Sequence, residues 1–122
     1  MVALPPHPPR EQRPWGWFEN LAQGEGYLVK RLLIRAGCRI SLQRHHHRSE
    51  HWVVVAGNGT LECQGQTINA AAGTSLFIPL QAMHRASGGS HDLEIIEVQR
   101  GPILSETDIE RFADDFGRLK AA

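Results

Sequence analysis

Gln43, His45 and Glu50 lie close together in the chain, and a second histidine, His84, follows Pro79 near the start of a later strand. Two imidazoles, one carboxylate and one amide carbonyl form a mixed nitrogen and oxygen donor set. Such a set suits a single divalent metal ion, zinc first, with Mn, Co, Ni or Fe as alternatives. No thiolate joins it, which argues against a closed structural zinc site and leaves positions for water or substrate. Side chains alternate across a strand, so Gln43 and His45 share one face, His47 continues that row, and Arg44 and His46 point away. Glu50 opens the next strand after a tight turn, which returns its carboxylate to the same place. The rival reading, polar residues at turns and strand ends, must account for four positions at once.

The elements that position these residues read as short strands. Segments 27–35, 40–46, 50–56, 60–63, 66–69, 75–78 and 93–99 are β-prone and are separated by Gly, Asn and Ser. Gly57-Asn58-Gly59 reads as a hairpin turn and Gly65 as a second. Many short strands at even spacing predict a sandwich or barrel. The end of the chain differs. Thr107 and Glu110 have capping-box spacing, and Ile109, Phe112, Ala113 and Phe116 share one helical face, so a short C-terminal helix stopped by Gly117 is expected. Prolines at 5, 6, 8, 9 and 14 forbid helix at the other end and predict an extended arm over 1–13.

Composition narrows the function classes. A chain of 122 residues supports one domain with a modest core. Its 13 basic and 13 acidic side chains balance, so no net field draws it to nucleic acid or membrane. No apolar run approaches the roughly 20 residues of a membrane span. The N-terminal stretch lacks the apolar centre of a signal peptide, and Cys38 and Cys63 form no CxxC, so two reduced thiols and a cytoplasmic location are expected.

The spacing Gly37-x5-Gln43-x-His45-x4-Glu50-x6-Gly57 resembles the first cupin motif, and Gly73-x5-Pro79-x4-His84 resembles the second. The resemblance implies an all-β fold, the cupin double-stranded β-helix or jelly-roll barrel, over 14–122 with one metal inside. The likeness narrows with Arg13-Pro14-Trp15-Gly16, the block from Leu42 to Val55, and the tail from Glu94-Ile95-Ile96-Glu97-Val98-Gln99 to Asp114-Asp115-Phe116-Gly117-Arg118. These blocks resemble type II mannose-6-phosphate isomerases, over nearly the whole chain. That family usually carries a guanylyltransferase domain ahead of this one, and no such domain is present in this sequence. The family also carries Gln as first ligand, which makes Gln43, His45, Glu50 and His84 the implied metal set. One departure is local. Where the family has a glycine before the second histidine, this chain has Gln81, which implies a strained or reshaped turn. Ser87, Gly88 and Gly89 stand where the family carries an Asn.

The resemblance implies metal-dependent interconversion of mannose 6-phosphate and fructose 6-phosphate by proton transfer through an enediol. Glu97, Lys30 and His47 are the candidate bases. Lys30 shares a strand face with Leu28, Leu32 and Ile34, so it either snorkels outward or faces a polar cavity. Arg13, Lys30, Arg85 and Arg118 are candidates to hold phosphate, for which a guanidinium fork is suited. His46 and His51 read as solvated or packing residues, and Trp15, Trp17 and Trp52 as packing before sugar platforms. The rival functions are a non-catalytic sugar- or sugar-phosphate-binding cupin and another metal-dependent cupin enzyme, such as a dioxygenase. The expected partners are a small sugar phosphate and a second copy in a homodimer that covers open strand edges.

Overall fold

The computed structural model describes residues 8–119. Two antiparallel sheets face each other, with strands numbered in chain order. The six-stranded sheet runs β1 (Glu11–Arg13), β2 (Gly16–Gly24), β3 (Tyr27–Ile34), β10 (Leu93–Arg100), β5 (Ser49–Ala56) and β8 (Ser75–Ile78). The five-stranded sheet runs β11 (Glu110–Ala113), β4 (Leu42–Arg44), β9 (His84–Gly88), β6 (Asn58–Cys63) and β7 (Gln66–Ala71). This is the all-β jelly roll the sequence implies.

Period-2 patterning decides what lies between the sheets. Along β10, Leu93, Ile95, Glu97 and Gln99 are buried, and their neighbours are half-buried or exposed. Lys30, Leu32 and Ile34 do the same on β3, as do Glu50, Trp52 and Val54 on β5. Register then sorts these side chains into layers. Leu93 pairs with Ile34, and Ile95 with both Leu32 and Val54. One step toward the other end, Glu97 lies between Lys30 and Trp52, and Gln99 pairs with Glu50. One end of the barrel is therefore an apolar core, joined by Ile40, Leu61, Ile78 and Ala86. The other end is lined by polar and charged groups.

Several expectations are corrected. Among the described residues no helix follows Thr107: Glu110–Ala113 is a strand, β11, paired with β4. Its Glu110 carboxylate, which a capping box would use, instead accepts from Arg44 Nε at 2.8 Å and lies 3.1 Å from His46 Nε2. Gly57-Asn58-Gly59 is not a hairpin, because β5 and β6 lie in different sheets. Gly57 has φ +83°, and a Cβ there would lie 1.7 Å from the Asp92 carbonyl oxygen, so the crossing between sheets requires glycine. The turn at Gly65 is a hairpin: Gln64 and Gly65 both have positive φ, joining β6 to β7. Residues 1–7 of the expected arm lie outside the described residues, and Glu11–Arg13 forms the edge strand β1 against β2. The strand β2 was not expected, and β9 starts at His84, where the start of a later strand was expected without bounds. Both cysteines are free thiols.

Candidate functional site

Three expected ligands converge. His45 at the end of β4, Glu50 on β5 and His84 on β9 are all buried, and their ligand atoms lie within 4.8 Å of one another. Each imidazole is oriented by its other nitrogen. His45 Nδ1 lies 2.7 Å from the Asp108 carbonyl oxygen, and His84 Nδ1 lies 2.9 Å from that of Ala82. A carbonyl only accepts, so each Nδ1 carries the proton and each Nε2 faces the cluster, an arrangement common in metal-bound histidines. His45 Nε2 is 3.2 Å from Glu50 Oε2, and His84 Nε2 is 3.5 Å from Glu50 Oε1.

Glu50 Oε1 and His84 Nε2 are buried with no hydrogen-bond partner, and a buried polar group left in that state costs about 1–3 kcal/mol. Burial lowers the His45 pKa to about 4 despite the Glu50 charge, so His45 is neutral near pH 7. Burial pulls the same way on His84, but the Glu50 carboxylate outweighs it and raises that pKa. Burial would raise Glu50; the imidazoles and Arg48 hold it well below the usual carboxylate range. A permanent anion between two inward-facing imidazole nitrogens fits a divalent ion. Gln43, opposite His84 in register, completes the expected donor set. Its amide nitrogen donates to the Ser41 carbonyl and hydroxyl at 3.2 and 3.1 Å, which leaves its oxygen as the group it can offer.

The sequence reading missed Arg48. It is buried, its Nε donates to Glu50 Oε2 at 2.9 Å, and its Nη1 donates to the Ser105 carbonyl at 3.0 Å. The signal was available, since Arg48, Glu50 and Trp52 follow the inward period of β5.

A cavity opens beside the cluster, lined by Glu97, Lys30, Gln99 and Trp52 among others. Glu97 accepts from Trp52 Nε1 and from Gln99 Nε2, each at 2.8 Å. Burial and the nearby Glu50 charge push its pKa up to about 7, with Lys30 opposing. Lys30 is buried, with Nζ 4.0 Å from the centre of the Phe18 ring and in contact with the Glu106 carboxylate. Burial lowers its pKa, against the pull of Glu97.

The remaining candidates divide. Arg13 and Arg118 line the cavity, and Arg118 is held by Asp114 at 2.8 Å. Arg111, which the sequence reading passed over, lines it too. Arg85 does not. It is buried elsewhere, donating to the Ile40 and Ala113 carbonyls at 2.9 and 3.0 Å, and so ties strands together. The expected row through His47 ends early, because the chain bends at His46–His47 and His47 is exposed. His51 is exposed, with its ring 4.5 Å from that of Phe77. Trp15 and Trp52 belong to the core, and Trp17 is buried against Arg10 and Arg31.

The family model and the sequence relatives agree on one family. The family model described as mannose-6-phosphate isomerase C-terminal matches residues 7–114. The alginate biosynthesis protein AlgA of Pseudomonas aeruginosa is 45% identical over 107 residues, which is 87% of this chain and 22% of that protein. Mannose-1-phosphate guanylyltransferase ManC of Salmonella typhimurium is 43% identical over 108 residues, 88% of this chain and 22% of that protein. The chain thus spans less than a quarter of the length of these relatives. Among solved structures, KdgF from Halomonas sp. superposes with a TM-score of 0.72 at 17% identity, covering 81% of this chain and 92% of that one. The Cnp3 cupin domain of Schizosaccharomyces pombe gives 0.66 at 11% identity, covering 70% of this chain and 64% of that one. At those identities the likeness speaks for the cupin fold alone.

Proposed function

The chain belongs to the mannose-6-phosphate isomerase C-terminal family, and from that premise we propose that it is a metal-dependent isomerase interconverting mannose 6-phosphate and fructose 6-phosphate. The observation that carries this reading is the buried cluster of His45, Glu50 and His84, with Glu50 Oε1 and His84 Nε2 unpaired, beside Glu97 in a cavity rich in basic side chains.

In this reading His45, Glu50, His84 and Gln43 hold the metal. When bound, the ion supplies a Lewis acid to the carbonyl and hydroxyl oxygens of the open-chain sugar. Glu97 is the base. It takes the proton from C2 of the aldose as O1 gains one, which gives the enediol, and it returns a proton to C1 as the O2 hydroxyl loses its own. A carboxyl poised near 7 suits both halves of that transfer. Trp52 and Gln99 fix its two oxygens in place. Lys30, Arg13 and Arg118 hold the phosphate, and Arg111 joins them because it faces the same cavity. His47 and Arg85 have no part, given where their side chains lie. A cytoplasmic homodimer completes the proposal. The strands β8 and β7 each end a sheet with one edge unpaired among the described residues, and a second copy would cover such edges.

The test is a coupled assay of fructose 6-phosphate formation by metal-stripped protein, alone and with Zn, Mn, Co, Ni or Fe restored, beside His84→Ala. Turnover that returns with metal and is lost in the variant is the expected result. A folded, metal-binding protein with no turnover under any metal would overturn the isomerase reading in favour of a binding module.

A further inference from the structure

The segment 101–109 between β10 and β11 crosses the polar end of the barrel and is tied down at two points. Its Ser105 carbonyl accepts from Arg48 Nη1 at 3.0 Å. Its Asp108 accepts from the backbone N–H groups of His46 and His47 at 2.9 and 3.0 Å, and the Asp108 carbonyl accepts from His45 Nδ1 at 2.7 Å. Between these fixed points Glu106 lines the cavity and sets its carboxylate on Lys30 Nζ. The two partners differ in setting. The Lys30 side chain is 5% exposed and that of Glu106 is 53% exposed.

A buried ammonium is thus capped by an acid reached from solvent. Other cavity cations are bonded to acids placed near them in the chain: Arg48 to Glu50, and Arg118 to Asp114. Glu97, the carboxylate beside Lys30 in register, is occupied by Trp52 and Gln99. Glu106 comes instead from a segment remote in sequence, and only its side chain needs to rotate for Lys30 to be released.

We propose that Glu106 is a resident anion on Lys30 that an incoming phosphate monoester must displace. The proposal rests on the sugar-phosphate reading of this cavity. A dianionic phosphate outcompetes a single carboxylate for a poorly solvated ammonium, whereas the hydroxyl of an unphosphorylated sugar does not. Glu106 therefore lowers affinity for every ligand and excludes neutral sugars most, a selectivity obtained by competition inside the site.

The test is calorimetric binding of inorganic phosphate and of mannose 6-phosphate to the wild-type chain and to Glu106→Gln, which keeps the size of the side chain and removes its charge. Both ligands are expected to bind about fivefold more tightly to the variant, as removal of one competing ion pair predicts. In a Lys30→Met background the same substitution is expected to change nothing. Unchanged or weaker binding by Glu106→Gln would overturn the proposal and make Glu106 a support for Lys30. Turnover is scored separately. Tighter phosphate binding without isomerase activity keeps the resident anion and rejects the isomerase. Full isomerase activity without tighter binding does the reverse.

Discussion

Burial raises the pKa of Glu97 while Glu50, one register step away, stays ionised among imidazoles and Arg48. Two carboxylates in one cavity are thereby given different duties, one as a permanent anion and one able to exchange a proton near neutrality. Glu97→Gln is expected to lower kcat by about a hundredfold or more while bound metal, measured by elemental analysis, stays at the wild-type level. Loss of metal in that variant would instead make Glu97 a support for the ligand cluster. Gln81 shows a different constraint at the same scale. It adopts φ +65°, so the turn before His84 keeps the conformation that a glycine there would take. Its N–H donates to the His45 carbonyl at 3.0 Å, which links the two histidine-bearing segments. The turn is strained rather than reshaped, at a cost of about 1–3 kcal/mol.

Among the elements, β11 shows where local pattern and tertiary pairing part. Ile109, Phe112, Ala113 and Phe116 satisfy a helical period, but a single short helix is marginal without a face to bury. Pairing with β4 gives Glu110 to Arg44 and places Arg111 opposite Gln43. Neither partner is visible from within residues 107–117. The extent of strand β9 beyond its start at His84 was hidden for a related reason. Its sequence His-Arg-Ala-Ser-Gly has little β propensity, yet it lies between β4 and β6, where small side chains fit. By contrast the convergence of His45 and Glu50 was legible, because alternation on β4 and β5 and the spacing of turn residues are local properties of the chain. Arg111 and Glu106 were not legible as cavity residues, since their place depends on the path of 101–113. The C-terminal turn also carries a pH signature. Asp114 is held at a pKa of about 2 by its bonds from Arg118, against an ordinary 3.8. A depressed carboxylate contributes stability above its ordinary pKa and loses it as pH falls toward the folded value. Acid titration followed by amide exchange is therefore expected to show residues 114–118 loosening between about pH 4 and pH 2, and Asp114→Asn to abolish that transition.

At the scale of the whole molecule, the donor set joins the two sheets. Glu50 belongs to the six-stranded sheet, while Gln43 and His84 lie on β4 and β9 of the five-stranded one. An ion held between them would act as a clasp that the unfolded chain cannot reproduce, so its binding would add to folding stability in proportion to the logarithm of metal concentration over Kd. At a hundredfold excess over Kd the gain is about 2.7 kcal/mol, which for a domain of this size is a shift in Tm of about 10 °C. Chelation is thus expected to lower Tm by that order, zinc or manganese to restore it, and His84→Ala to make Tm indifferent to both. The substitution itself has a second effect, since it removes the unpartnered Nε2 and part of what holds Glu50 ionised. The variant is for that reason compared with its own chelated form and not with the chelated wild type. A Tm insensitive to chelator in a wild-type protein shown by elemental analysis to carry metal would place that metal away from the clasp, and with it the chemistry assigned to this end of the barrel.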